Sequence, residues 1–277
     1  MKLTQSVLIG ATFRLARSLS LLALAVGVSS LLFSPVAAAQ TQPLNDTGVT
    51  TCYSPNSLCD PALHKKQDAM VGRDAASRVA GSGVTTNTGK GFSFTKIARN
   101  GTPLPDNAVL GDNPTDWACT KDNVTGLTWE IKRDSPTASR YMNATYSWYD
   151  PNPATNGGRP GVENGGVCPV AGRCDIVKYI EDVRATGICG KTSQWRLPSV
   201  RELQNLFDFG TTRPQTFDLF FPNLPSVGVR SYVDPNWFMT GATLASNYEY
   251  FWAVQSTANS YWFQKYANTM GVIAVAP

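Results

Sequence analysis

The sequence contains almost no histidine. His64 is the only one among 277 residues, and it lies next to Lys65 and Lys66. A Ser-His-Asp or Cys-His catalytic unit uses a histidine as its base. The chain also shows neither the paired-carboxylate spacing expected of a glycoside hydrolase nor a Gly-rich phosphate loop between a strand and a helix. We therefore expect a protein that is not an enzyme.

Metal-binding spacings are missing as well, because no two cysteines form a C-x-x-C pair and the one histidine is isolated. We predict neither a metal nor another cofactor. An even number of cysteines in an exported chain indicates disulfides, and six cysteines allow 15 connectivities. Proximity in the sequence favours Cys52–Cys59 and Cys168–Cys174, which leaves Cys119–Cys189 by elimination.

A large excess of positive charge is absent too. The formal net charge is +4, from 24 basic and 20 acidic residues. Three of the basic residues (Lys2, Arg14 and Arg17) and none of the acidic ones lie in residues 1–39, so the remainder is close to neutral. Long-range attraction to nucleic acid or to an anionic membrane is therefore disfavoured. We expect a glycan or an extracellular protein as the partner, and no nucleic acid.

The one long apolar run begins near the N-terminus, from Leu19 to Phe33, after three basic residues. Ala37 and Ala39 then form a small-residue cleavage site. This pattern predicts a secretory signal peptide over residues 1–39. The alternative, a retained anchor, would need about 20 apolar residues. We expect a secreted protein of the periplasm or cell surface, without a stable membrane anchor after cleavage.

The remaining chain is predicted to contain an N-terminal extension or linker over 40–91 and one α+β domain over 92–277. One helix is expected from Asp175, a natural N-cap, to Arg184. A second follows Ser199, with Glu202 completing a capping box. Alternating patterns predict strands at 92–97, 117–120, 127–132, 248–254 and 261–263, and an apolar run predicts a buried closing strand at 271–275. Turns are expected at 100–101 and 122–126.

Three tryptophans, Trp237, Trp252 and Trp262, lie close together near the C-terminus. If they are exposed, their rings would stack on sugar faces or anchor a protein partner. If they are buried, they are the core of a small sheet, which is the more common role of aromatic residues in strands. The sequence leaves both readings open.

Several motifs together resemble the Lcl C-terminal domain family, named after the C-terminal domain of the Legionella collagen-like adhesin. The family pattern runs D-N-x-T-G-L-x-W, then a helix after a cysteine, then W-R-L-P-x-x-x-E-L, then a Tyr/Trp strand. The residues that match the two motifs are Asp122, Asn123, Gly126, Trp129, Trp195, Leu197, Pro198 and Glu202. The resemblance extends from about residue 92 to the end.

The resemblance implies a C-type-lectin-like α+β domain with two helices, short antiparallel strands, many loops and disulfide staples. For the named adhesin it implies a trimer that binds sulfated glycosaminoglycans, so a homo-oligomer is an expectation here. The closing strand of the family usually reads V-R-x-V-R, whereas Ile273 and Ala276 stand at the arginine positions. The R-L-P segment is also similar to a motif of the formylglycine-generating enzymes, whose catalytic cysteines lie late in the domain. No cysteine follows Cys189 here.

The expected function is a non-catalytic adhesion or binding module of the cell envelope that recognises a glycan, such as a sulfated polysaccharide, or a protein. The alternatives are an envelope enzyme of unknown reaction and a structural envelope component. Convergence of scattered basic side chains with one aromatic ring would form the ligand site. The expected contacts are Arg196, Arg201, Arg230, Trp237 and Lys265.

Overall fold

Short strands joined by many turns dominate the structure. The computed structural model describes residues 43–52, 65–211, 216–224 and 233–277, without the side chains of 233–235. The predicted signal peptide, Cys59 and Arg230 lie outside these ranges. The described residues form ten strands: β1 Phe94–Ala98, β2 Pro103–Leu104, β3 Trp117–Asp122, β4 Thr128–Glu130, β5 Tyr146–Ser147, β6 Val233–Thr243, β7 Tyr250–Gln255, β8 Ser260–Gln264, β9 Thr269–Gly271 and β10 Val275–Ala276.

The first sheet is antiparallel, in the order β10-β4-β3-β1-β2. The predicted turn between β3 and β4 is present. Asp122 Oδ1 accepts hydrogen bonds from the backbone N–H groups of Val124 (2.9 Å) and Thr125 (3.2 Å). Gly126 has φ of +78°, a conformation that favours glycine. The D-N-x-T-G motif is therefore a turn that sets the register of two strands.

The second sheet has the order β5-β9-β6-β7-β8. Its β6–β9 pair is parallel, whereas the resemblance implied antiparallel strands. The parallel pair arises because β6 and β9 are not joined by a hairpin, and β7 and β8 lie between them in the sequence. The β7–β8 hairpin continues the sheet outward, so that β8 forms its edge.

Three α-helices are present among the described residues: α1 Gly72–Ser77, α2 Ile176–Ala185 and α3 Val200–Gln204. Asp175 caps α2 by accepting from Lys178 N at 2.9 Å. Ser199 and Glu202 form the predicted capping box of α3. The two predicted helices are confirmed, and α1 is a further helix in the N-terminal region. None of the helices in the described ranges is long and apolar enough to cross a membrane.

We predicted one closing strand at 271–275, but the C-terminal segment does not form a single strand. It is buried throughout, but β9 belongs to the second sheet and β10 to the first. Between them, Ala274 donates its backbone N–H to the Glu130 side chain at 3.0 Å and accepts from Glu130 N at 3.1 Å. The buried Glu130 carboxylate thus accepts the backbone hydrogen bond that a neighbouring strand would accept in a regular β-sheet. Ile273 and Ala276, at the family's arginine positions, are both buried.

Two apolar clusters form the core. The first contains Trp195 and Trp237 with the buried face of α2, and the second contains Trp129, Phe238 and residues of α3. Disulfides Cys119–Cys189 and Cys168–Cys174 are present, as predicted. The first of these ties β3 to the segment after α2. Together these features confirm a loop-rich α+β fold.

The described part of the N-terminal region packs against the domain. Asn45 donates from its backbone N–H to Asn205 Oδ1 at 2.9 Å and from its side chain to Asp122 Oδ2 at 2.5 Å. Phe209 donates its backbone N–H to Thr47 O at 2.7 Å. These bonds join residues 43–52 to the β3–β4 turn and to the segment after α3.

Candidate functional site

Two of the five expected ligand contacts, Trp237 and Lys265, are buried. Trp237 is 2% exposed and packs edge-on against Phe263, with ring centroids 4.9 Å apart. The Lys265 side chain is covered completely, although lysine is rarely buried. A ligand in solution meets neither side chain at the surface. The buried reading of the tryptophans is therefore correct for Trp237.

The arginines of the expected set have different roles. Arg196 forms two hydrogen bonds with the Glu202 carboxylate, at 2.9 and 2.6 Å. These bonds raise the pKa of Arg196 and hold the guanidinium against the start of α3. Arg201 is exposed on α3 and has no ion-pair partner within the described ranges. Arg230 lies outside the described residues. The structure therefore does not bring the described members of the set into one cluster.

A different set of residues forms an aromatic face on the β7–β8 hairpin, on which Trp262 is exposed and Tyr250 and Trp252 are half-buried. Trp252 pairs directly with Trp262 across the two strands, and Tyr250 pairs with Gln264. Because alternate residues of a strand share a face, Tyr250, Trp252 and Trp262 lie on the same side. Tyr250 and Trp262 meet edge-on with centroids 4.9 Å apart. We call these three residues the aromatic surface.

The edge position of β8 keeps this surface in contact with water. Every residue of β8 except Phe263 is exposed, and Trp262 retains 38% of its accessible area. Tyr261 stacks beside Trp262 with centroids 5.0 Å apart, and it is 36% exposed. Tyr248 and Tyr266, which flank the hairpin, are about half exposed. Exposed rings of this number are unusual in one hairpin, since buried aromatic residues contribute more to stability.

The buried Lys265 holds the hairpin to a neighbouring loop. Its Nζ donates to the carbonyl oxygens of Asn156 (2.8 Å) and Arg159 (3.1 Å) and to Thr243 Oγ1 (3.1 Å). It also lies 3.9 Å from the Trp148 ring centroid. Burial lowers the pKa of Lys265 to about 8. We infer that this lysine supports the aromatic surface from behind.

Few charges lie near the aromatic surface. Arg159 and Glu249 form an exposed ion pair at 3.5 Å. Tyr250 OH accepts a hydrogen bond from Gln264 Nε2 at 3.0 Å, so its ring is held in place. The surface thus combines fixed aromatic rings with amide and hydroxyl groups. This combination suits the apolar faces and hydroxyl groups of a sugar.

The family motif supplies a buried charge cluster in addition to the turn. Glu130 is fully buried and accepts hydrogen bonds from Lys132 Nζ at 3.2 Å, from the Tyr179 hydroxyl and from Ala274 N. Burial raises the pKa of Tyr179 well above its usual value, and it lowers that of Lys132. The cluster joins β4, α2 and the C-terminal segment. Because it is enclosed, we assign it a structural role.

The described ranges contain no candidate metal site. They contain no group of three or more His, Cys, Asp or Glu side chains that could hold a metal ion.

The sequence pointed to the aromatic strands but not to their edge position. The signal that was available is the alternation of aromatic residues at 248, 250, 252 and 262, which places several rings on one face.

The comparisons with known proteins gave one match. The family model described as "Lcl C-terminal domain" matches residues 118–276, which is more than half of the chain. The match contains all of β3 except its first residue, together with β4, helices α2 and α3 and the whole aromatic surface. Comparison with curated proteins and with solved structures gave no match.

Proposed function

Since the chain belongs to the Lcl C-terminal domain family, we propose that it is an exported, non-catalytic module that binds a polysaccharide through its aromatic surface. Export by the signal peptide over residues 1–39, a C-type-lectin-like arrangement of the domain and assembly into a homo-oligomer are parts of the same proposal. The observation that carries it is the aromatic surface, in which Trp262 is exposed on the edge strand β8 and the half-buried Tyr250 and Trp252 lie beside it on β7.

The geometry supports a sugar ligand in two ways. Trp252 and Trp262 are directly opposite each other on neighbouring strands, and Tyr250 meets Trp262 edge-on, so the three side chains form one aromatic face. Tyr250 and Gln264 place a hydroxyl and an amide at the end of this face. A sugar ring can stack its apolar C–H face on an aromatic ring while polar groups beside the ring hydrogen-bond its hydroxyl groups. A polysaccharide also matches an edge strand, since it can extend along it.

Low charge at this surface predicts how the binding depends on salt. Arg159 and Glu249, of which Glu249 is next to Tyr250 in the sequence, form an ion pair, so their charges offset each other. Binding through the aromatic surface should therefore change little with ionic strength, because screening acts on exposed charges. This expectation differs from that of a basic site, whose affinity for a sulfated polymer falls as salt increases.

The test is binding of the oxidised chain, from residue 40 onward, to a panel of neutral and sulfated polysaccharides at two salt concentrations. We expect binding that persists at high salt and that weakens in a Trp262→Ala variant. Binding that disappears at high salt, or that is unaffected by the substitution, would contradict the assignment to this surface. Binding to none of the polysaccharides would leave a protein partner as the better hypothesis.

A further inference from the structure

A polar cleft of about 390 Å³ lies beside the loop that follows β4. Three arginines, Arg99, Arg133 and Arg140, line it together with Asp112 and several serine and threonine hydroxyl groups. None of these residues belongs to the aromatic surface. We call this cleft the arginine pocket.

Arg140 is the fixed part of the pocket. It is only 6% exposed, and its Nη1 donates to Ala118 O at 3.1 Å and to Ile131 O at 2.7 Å. A guanidinium has five N–H donors. The Nε and Nη2 atoms of Arg140 have no protein acceptor among the residues that the structure describes. Arg140 thus lines the pocket with a guanidinium whose hydrogen-bonding capacity the protein uses only in part.

The loop that carries two of the arginines is closed by backbone hydrogen bonds. Arg133 N donates to Arg140 O at 2.9 Å, and Met142 N donates to Arg133 O at 2.9 Å. Arg133 and Arg140 are therefore held at the neck of the loop. Arg99 is fixed by the bond from Cys189 N to its carbonyl oxygen at 2.7 Å. The three backbones are positioned before any ligand arrives, which lowers the entropic cost of binding.

The positive charges of Arg99 and Arg133 are weakly compensated. Arg133 pairs with Asp112 at 3.0 Å, but Asp112 is 76% exposed, so the pair is weak. Arg99 has no ion pair in the described part of the chain. Burial has the largest effect on the pKa of Arg140 and lowers it; Glu130 and Tyr179 raise it, and the like charges of Arg99 and Arg133 have the smallest effects and lower it. An anion in the pocket would relieve this repulsion.

We propose that the arginine pocket binds an oxyanion group: a sulfate, a phosphate or a carboxylate. Guanidinium groups match these anions because two parallel N–H donors meet two oxygens. Serine and threonine hydroxyl groups of the loop supply further donors. The proposal is independent of polysaccharide binding by the aromatic surface, since the two sites share no residue.

Thermal unfolding of the oxidised chain in sodium sulfate, sodium phosphate and sodium chloride at equal ionic strength tests the proposal. A ligand of the folded state raises Tm with concentration, so sulfate and phosphate should raise it more than chloride does. The variants Arg99→Met and Arg133→Met should each weaken the fitted anion affinity at least 10-fold. Arg201→Met, an exposed arginine of α3 outside the pocket, is the matched control and should retain the affinity.

Arg140→Met is not the first variant to make, because Arg140 also bonds two backbone carbonyls. Equal Tm values in all three salts would overturn the proposal, and so would full anion affinity in both pocket variants. Competition with dextran sulfate then identifies the source of the anion. Displacement of inorganic sulfate assigns the oxyanion to a polymer, whereas lack of displacement assigns it to a free small molecule; either result supports the pocket.

Discussion

Replacement of Lys132 by methionine tests the buried charge cluster most sharply. Lys132 Nζ is 3.2 Å from Glu130 Oε1 and 2.8 Å from the Tyr179 hydroxyl, and the side chain is almost fully enclosed. Glu130 Oε2 already has no hydrogen-bond partner in the described part of the molecule. Methionine fills nearly the same volume but removes the compensating charge. Glu130 would then be a buried anion supported only by Tyr179, Ala274 and the more distant Arg140.

Loss of one partner from a buried ion pair costs about 3–5 kcal/mol. For a domain of this size, each kcal/mol lowers Tm by about 2–4 °C, so Tm should fall by roughly 6–20 °C. Thermal and urea unfolding, followed by tryptophan fluorescence, measure the change. Lys121→Met is the matched control, since Lys121 is an exposed residue of β3, and it should change stability by no more than about 0.5 kcal/mol.

A double variant, Glu130→Gln with Lys132→Met, separates charge from packing. It removes the uncompensated charge, so it should be more stable than Lys132→Met alone. Equal losses in Lys132→Met and Lys121→Met would refute the reasoning. A double variant less stable than Lys132→Met would show that packing, and not the buried charge, determines the effect.

Two further predictions concern stability. Burial is the main cause, followed by the hydrogen bond with Asp46, that raises the pKa of Asp74 from 3.8 to about 6. The contribution of the protonated Asp74 to folding stability is therefore fully present below about pH 3.8 and is lost as pH rises through 6. Asp74→Asn should thus gain stability relative to the parent by up to about 3 kcal/mol between pH 4 and 7, and urea titrations in which the difference stays constant would disprove this. Joint replacement of Cys119 and Cys189 by alanine should cost about 4 kcal/mol, because their disulfide closes a loop with a sequence separation of 70; an unchanged urea midpoint would contradict the prediction.

Local signals in the sequence were sufficient to predict α2, α3 and the β3–β4 turn. Asp175 and Ser199 act within three residues of their own positions, so their caps follow from the local sequence. The β3–β4 turn depends on Asp122 and Gly126 in the same way. Each of these features is decided by short-range hydrogen bonds and by the φ angle that glycine permits.

Features that depend on distant residues were harder to predict. Lys265 is buried because Asn156, Arg159 and Thr243 supply three acceptors far from it in the sequence. The C-terminal segment is divided between two sheets because the Glu130 carboxylate accepts a hydrogen bond from the backbone N–H of Ala274. The sequence identifies the residue types in each case, but tertiary contacts decide whether a polar group is exposed or satisfied inside.

The same distinction applies to the ligand contacts. Arg196 and Arg201 belong to one motif and are both exposed, yet only Arg196 forms an ion pair with Glu202. The pattern of aromatic residues in the sequence predicted that they lie on two strands. Only the strand order shows that β8 is an edge and that Trp262 is therefore accessible to a ligand.

The most direct test of polysaccharide binding by the aromatic surface compares three proteins: the parent chain, Trp262→Ala and Phe209→Ala. Phe209 is 44% exposed beside residues 44–47, outside the aromatic surface, and is therefore the matched control. Kd is measured at high salt for the polysaccharide that binds best. Truncation of a central aromatic contact costs about 2 kcal/mol, so Trp262→Ala should raise Kd about 30-fold while Phe209→Ala leaves it unchanged. Equal Kd values for the parent and Trp262→Ala would contradict the assignment of binding to this surface.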